Sequence, residues 1–340
     1  MTTFIIAEAG VNHNGRDELA YALIDAAVTA GADAVKFQTF SAEKIVQRNA
    51  EKAEYQKKAT GDGSQFDMLK KLEMSADLHR GLIRHCADRG IEFMSTPFDT
   101  DAADFLVAEG MKRIKVPSGE LTNTPFLRHL ARFGLPLIVS TGMATIDEIR
   151  EAVATLSAAW TGSTPFEQNV TILHCTSNYP AAPQDVNLRA MNTIASETAL
   201  PVGYSDHTLG IGVCTAAVAL GASVIEKHFT LDRGMDGPDH KASLEPSELA
   251  AMIAQVRTVE AALGHAIKAP TESEKEMRVL ARRSIAAARD LAVGHRLSAA
   301  DLVMLRPAVG IEPREFDNLM GRTLGAAVTA GTALQWSDIE

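Results

Sequence analysis

Eight short β-rich runs, most of them separated by stretches of helical spacing, restrict this chain more than any other feature. They are FIIAEAG (4–10), AVKFQTF (34–40), EFMSTPF (92–98), RIKVPSG (113–119), PLIVSTG (136–142), VTILHCT (170–176), VGYSDH (202–207) and SVIEKHFT (223–230). Between them lie Ala/Leu-rich segments such as DELAYALIDAAVTAG and IDEIREAVATLSAAW, whose apolar residues recur at helical intervals. Strands that alternate with helices imply βαβ units and a parallel sheet. Eight such units in about 260 residues have the size of a (β/α)8 TIM barrel. Of 340 residues 46% are hydrophobic, enough for a core of that size.

The third run starts 58 residues after the second, against spacings of 21 to 34 elsewhere. The excess lies in 41–75, a polar, Gly-bearing segment after a strand's C-terminal end. In a barrel that is the catalytic face, so the insertion is either a lid or substrate loop or a solvated helical decoration. PSELAAMIAQVRTVEAALG reads as the last barrel helix, capped by Ser247 and ended by Gly264. The boundaries that follow are 1–267 for the barrel, 268–282 for a charged linker and 283–340 for a small β-rich module. The module contains an echo: Gly294-x-x-Leu297-x-x-x-Asp301-Leu302 recurs as Gly331-x-x-Leu334-x-x-x-Asp338-Ile339. Equal spacing implies two related turn units, and so short a module is expected to dock on another surface.

Net charge is −10, which argues against a nucleic-acid partner held by phosphate neutralisation. Cys86, Cys175 and Cys214 are too few and too scattered for a disulfide framework, so a cytoplasmic location is expected. MTTFIIAEAGVNHNG lacks the basic start of a secretory leader, and no apolar stretch is long enough to span a bilayer.

Side chains alternate along a strand. By parity Glu8, Lys36, Lys115 and His228 face the barrel interior near its mouth, with Glu226 on the side of His228. Buried charge is costly unless paired or used, so structural ion pairs are the competing explanation. His207 and His228 end consecutive strands about 5 Å apart, close enough for both imidazoles to reach one Mn²⁺, Fe²⁺ or Zn²⁺ ion. Asp239 suits this face better than Asp206, which points outward. His13, His174 and His240 are alternatives that packing alone would explain. Lys36, Lys115, Thr96, Ser118 and Ser205, with the Gly119 backbone, would hold a doubly anionic ligand. No phosphate-loop or dinucleotide fingerprint is present.

With IIAEAGVNHNG, VKFQTF, STPFD, KVPSGE, STGM, HCTSNYP, GYSDHTLG, EKHFTLDR, GPDHKASLEP and LRP in order, the chain resembles the sialic acid synthases over nearly its whole length. Its C-terminal part resembles their antifreeze-like SAF domain. The resemblance implies condensation of phosphoenolpyruvate with open-chain N-acetylmannosamine and water to N-acetylneuraminate and phosphate. Carbon C3 of the enol attacks the metal-polarised aldehyde, water adds at C2, and phosphate leaves by C–O cleavage. It implies Mn²⁺, with Mg²⁺ or Co²⁺ as substitutes, on His207 and His228. Lys36, Thr96, Lys115, Ser118, Ser177 and Ser205 would hold phosphoenolpyruvate, and Glu8 would stand at the reacting centre. Gln38, Glu120, Tyr179 and Asp239 would line the sugar site; Glu8, Glu120 and Asp239 would be catalytic, with the proton transfers between Glu8 and Glu120 left open. Arg306, from the partner subunit of a domain-swapped homodimer, would contact the sugar's acyl group. Ser177 stands where the sialate pattern has Asn, and TGDGSQF (60–66) also departs from it. An N,N'-diacetyllegionaminate synthase acting on 2,4-diacetamido-2,4,6-trideoxymannose is therefore the alternative. A Schiff-base aldolase using Lys36 or Lys115 is more remote, as is a non-catalytic carbohydrate-binding or coat-assembly protein.

Overall fold

The computed structural model describes residues 2–340, with all side chains except those of Tyr55, Lys58 and Ala59. The chain divides into two compact units, 2–264 and 265–340. In the first, β1 (Phe4–Gly10), β2 (Ala34–Thr39), β3 (Glu92–Pro97), β4 (Ile114–Val116), β5 (Leu137–Ser140), β6 (Val170–Cys175), β7 (Val202–Asp206) and β8 (Val224–His228) are joined by helices. All pair in parallel in the order β3-β2-β1-β8-β7-β6-β5-β4. The end strands β3 and β4 pack side by side and close the expected (β/α)8 barrel.

Period-two alternation sorts the strand residues into two environments. Ile5, Ala7, Val35, Phe37, Ile114, Val116, Ile172, Tyr204 and Ile225 face outward into the helix layer. Ile6, Ala34, Met94, Ile138, Leu173 and Val224 face inward and form a separate apolar cluster that fills the barrel floor. Burying one such side chain is worth about 1.5–3 kcal/mol. Two residues further up, the inward positions turn polar on most strands: Glu8, Lys36, Thr96, Ser140 and Glu226.

The last barrel helix, Pro246–Leu263, departs from expectation at its start. Pro246 occupies the first turn, where its fixed φ and missing N–H cost nothing. Ser247 therefore lies inside the helix, and the Glu245 N–H is taken by the Glu248 carboxylate at 2.9 Å. Gly264 ends the helix at φ +51°. The insertion folds as three short helices, Ala42–Ile45, Glu54–Thr60 and Gln65–Lys70. It is anchored by a satellite core of Val11, Phe40, Met68 and Leu72.

In the second unit the charged segment expected as a linker includes the helix Lys275–Ala281. β9 (Ser284–Ala287) and β10 (Leu302–Leu305) pair antiparallel around a core of Ile285, Leu291, Leu297, Leu324 and Leu334. The sequence echo has a structural counterpart. Gly294 and Gly331 take φ of +81° and +79°, Leu297 and Leu334 are buried, and each repeat ends in a short turn of helix, Ala299–Asp301 and Trp336–Asp338. Among the described residues no helix is long and apolar enough to cross a membrane.

Candidate active site

Above the apolar floor, inward residues from all eight strands or the turns after them meet in one cavity of about 500 Å³. Its lining includes Glu8, Lys36, Gln38, Thr96, Lys115, Ser118, Ser177, Tyr179, Ser205, His207 and His228, so eleven of the fourteen expected site residues share one chamber.

Two ammonium groups and two carboxylates are buried at its base. Lys36 Nζ lies 2.6 Å from Glu8 Oε2 and 3.6 Å from Glu226 Oε2, and donates to Thr96 Oγ1 at 2.9 Å. Lys115 Nζ lies 3.7 Å from Glu226 Oε1 and donates to Ser140 Oγ at 2.7 Å. Ser205 Oγ donates to Glu226 Oε1 at 3.0 Å. Glu226 thus touches both lysines and the serine. Burial alone would raise its pKa, but Lys115 and Lys36 outweigh burial and hold it below the ordinary value. Burial, joined by the Glu226 charge, pushes the Glu8 carboxyl up to about 7 against the pull of Lys36. Burial works against the Lys36 ammonium, yet Glu226 and Glu8 more than compensate and its pKa is raised. For Lys115 burial prevails and the pKa falls.

The two imidazoles stand over this base with ring centroids 5.4 Å apart, and the Tyr179 ring packs on both, at 4.1 Å and 5.6 Å. His207 Nδ1 donates to Thr176 O at 2.6 Å, which leaves Nε2 as a bare lone pair. Burial lowers the pKa of His207, and burial together with His207 lowers that of His228 well below the ordinary value. His228 Nδ1 is buried without a hydrogen-bond partner. Two neutral rings, one with a fixed tautomer and one with an orphaned nitrogen, form a donor pair suited to a divalent ion, with open positions for water and substrate oxygens. A third protein ligand is not assembled. Asp239 stays 3.9 Å from His228 Nδ1, and among the described residues no group of three or more His, Cys, Asp or Glu is gathered to hold an ion.

Asp239 nevertheless belongs to the neighbourhood. A Cβ on Gly10 would stand 3.2 Å from Glu8 Oε1, 3.5 Å from Gln38 Nε2 and 3.7 Å from Asp239 Oδ2. Gly10, at φ +53°, therefore lets these three polar groups converge. Burial lifts Asp239 to about 6. Glu120 sits on the turn Ser118–Glu120, half-buried, and accepts from Asn123 Nδ2 at 2.7 Å; it does not line the chamber. Arg306 is exposed in the second unit.

The remaining histidines have structural work. His13 accepts from the Gly15 N–H at 3.1 Å, His174 donates to Val186 O at 2.7 Å, and His240 bonds Thr230 Oγ1 at 2.7 Å and Asn14 Oδ1 at 3.0 Å. Asp206 faces the helix layer and pairs with Lys227, as parity requires. Sequence reasoning placed Glu226 on the correct face but gave it no part. Ser140 and Cys175, also inward on their strands, were legible by the same alternation. Phe98 and Gln65 lie beyond the strands, where alternation says nothing.

Comparison with known proteins follows the same lines. The NeuB family profile matches residues 23–268, and the SAF domain profile matches 282–340. The chain is 52% identical to the N,N'-diacetyllegionaminic acid synthase of Legionella pneumophila, covering 100% of this chain and 95% of that protein. It is 47% identical to the synthase of the same name from Campylobacter jejuni, covering 94% and 95%. Among solved structures, the sialic acid synthetase of Leptospira borgpetersenii in complex with citrate superposes with a TM-score of 0.72 at 36% identity, covering 82% of this chain and 90% of that one. The chain belongs to the NeuB family, a condensing enzyme of the sialic acid synthase type whose second unit carries an SAF domain.

Proposed function

We propose that this enzyme condenses phosphoenolpyruvate with 2,4-diacetamido-2,4,6-trideoxymannose and water to give N,N'-diacetyllegionaminate and phosphate. The observation that carries the chemistry is the joining, in one chamber, of two buried ammonium groups, a carboxyl poised near neutrality and two neutral imidazoles. The sugar rests on the whole-chain likeness to two legionaminic acid synthases, which favours this substrate over the N-acetylmannosamine that motif reading puts first.

The residues divide the work by depth. Lys36 and Lys115, with Thr96, Ser118, Ser177 and Ser205, hold the carboxylate and phosphate of phosphoenolpyruvate. Glu8, exchanging a proton near pH 7, stabilises positive character at C2 or activates the water that adds there. Gln38, Tyr179, Glu120 and Asp239 orient the sugar. His207 and His228 hold a divalent ion, Mn²⁺ foremost with Mg²⁺ or Co²⁺ as substitutes; when bound it supplies Lewis-acid polarisation of the aldehyde. In our reading the enzyme is a domain-swapped homodimer in which Arg306 reaches the partner's sugar site. The three free cysteines accord with a cytoplasmic location.

Incubation with phosphoenolpyruvate, Mn²⁺ and each candidate sugar, with the keto acid identified by mass, tests the reading. The diacetamido sugar should give the larger kcat/KM. Absence of phosphate release with every sugar would refute a synthase, and a borohydride-trapped lysine adduct with activity surviving chelation would install the Schiff-base mechanism instead. Mixing Arg306→Ala with a His207→Ala, His228→Ala double variant should restore activity in heterodimers, because one site then has good copies of both parts. No restoration would remove the swapped arrangement.

A further inference from the structure

The insertion delivers a side chain into the reaction chamber. Gln65 is the first residue of the helix Gln65–Lys70 and lines the same cavity as Glu8, Gln38, His207 and His228. Its carboxamide makes no hydrogen bond to another described residue. Its backbone, in contrast, is held from several directions. The Gln65 N–H donates to Ala50 O at 3.0 Å, Ser64 pairs with Glu51 across an antiparallel bridge, and Ser64 Oγ caps the helix through the Asp67 N–H at 3.0 Å. Lys52, a buried ammonium, donates to Thr60 Oγ1 at 2.9 Å, Gly61 O at 2.9 Å and Asp62 O at 3.3 Å. All three acceptors are neutral oxygens, and through them the ammonium fixes the turn before Gln65. The result is a half-buried amide presented to the chamber from a braced backbone, the arrangement expected of a reader of ligand polarity. Phe98 lines the same cavity, held edge-on against Phe40 at 6.0 Å.

We propose that Gln65 is a specificity-determining residue whose carboxamide hydrogen-bonds the second acetamido group, at C4 of the sugar, while Phe98 faces the C6 methyl. This rests on the functional reading above. The aldehyde end must sit beside His207, His228 and Glu8, so the sugar's remaining carbons extend toward the rim, where the insertion and the turn after β3 supply the walls. A carboxamide both donates and accepts, and so matches the N–H and C=O of an acetamido group together. A site built to bond a polar substituent penalises the analogue that cannot satisfy it.

Gln65→Leu keeps the volume and removes both polar atoms. Wild type and variant are compared on 2,4-diacetamido-2,4,6-trideoxymannose and on its 4-hydroxy analogue, 2-acetamido-2,6-dideoxymannose. The readout is kcat/KM where the sugar is turned over and a competitive inhibition constant where it is not. The variant should lose about tenfold on the diacetamido sugar, the worth of one or two neutral hydrogen bonds, with the analogue and the KM for phosphoenolpyruvate unchanged. The unchanged phosphoenolpyruvate KM certifies an intact chamber. Equal losses on both sugars, no loss on either, or a raised phosphoenolpyruvate KM overturns the proposal. Were the wild type to release no phosphate with either sugar, the functional reading would fall and this inference with it. Turnover of the diacetamido sugar that ignores the substitution overturns the inference alone.

Discussion

Two buried ion clusters sit one residue apart on β7 and β8, and they are built on opposite terms. On the helix-facing side Lys227 pairs with Asp206 at 2.7 Å, both side chains fully buried. Lys227 also donates to Thr208 O. Asp206 also accepts from the Thr208 N–H at 3.0 Å, Thr208 Oγ1 at 3.1 Å and Cys214 Sγ at 3.2 Å. Four donors thus converge on the Asp206 carboxylate. On the inner side Glu226 and Glu8 share Lys36, and Lys115 lies 3.7 Å from Glu226. There Glu8 Oε2, Glu226 Oε2 and His228 Nδ1 are buried without a hydrogen bond of good geometry. The same side-chain types bond one another in the outer cluster, while in the inner one buried acceptors stay without a hydrogen bond, as a ligand site requires.

Substitutions can break this contrast. The largest effect is expected at the inner cluster: Lys36→Met or Lys115→Met should lower kcat/KM by about 10²–10³-fold, the scale of losing one preorganised electrostatic contact, and steady-state kinetics with both substrates would show it. Lys227→Met leaves Asp206 buried and unpaired, which should cost about 3–5 kcal/mol in denaturant unfolding while kcat/KM per folded molecule holds. A protein that tolerates Lys227→Met but unfolds on Lys36→Met would reverse the assignment of the two clusters.

A smaller, sign-specific effect sharpens the comparison. Glu8 is raised to about 7 in the folded chain, against about 4.3 for an ordinary glutamate. The folded state therefore holds this proton more tightly than the unfolded state. Glu8 contributes stability that is complete below pH about 4.3 and drains away as pH rises through 7. Glu8→Gln should flatten that part of the stability curve in urea titrations between pH 5 and 8. An unchanged slope would mean that Lys36 keeps Glu8 ionised throughout.

Much of this was legible in the sequence because a barrel strand has a strict two-residue period. Once Ile6 and Glu8, or Val224, Glu226 and His228, are known to share a side, their convergence follows from closure of the sheet. The partnership of Glu226 with two lysines depended on distances across the barrel, which no single strand encodes. Asp239 followed a strand and could be placed near the site, but its 3.9 Å separation from His228 Nδ1 could not be read from the chain. Gln65 was hidden because the insertion has no strand period and its register is set by Lys52 and the satellite core. Ser247 was misassigned as a cap because local capping preference ignores the stronger demand of Pro246 for the first helical turn.

The barrel floor has a kinetic consequence. Ile6, Ala34, Met94, Ile138, Leu173 and Val224 plug one end, so traffic passes through the rim alone. If phosphoenolpyruvate sits on the lysines as proposed, it would have to arrive before the sugar closes over it, and the phosphate split from it would depart after the condensed acid. On that reading the plug would impose a queue, with inorganic phosphate as the last guest out and a competitor of the first guest in.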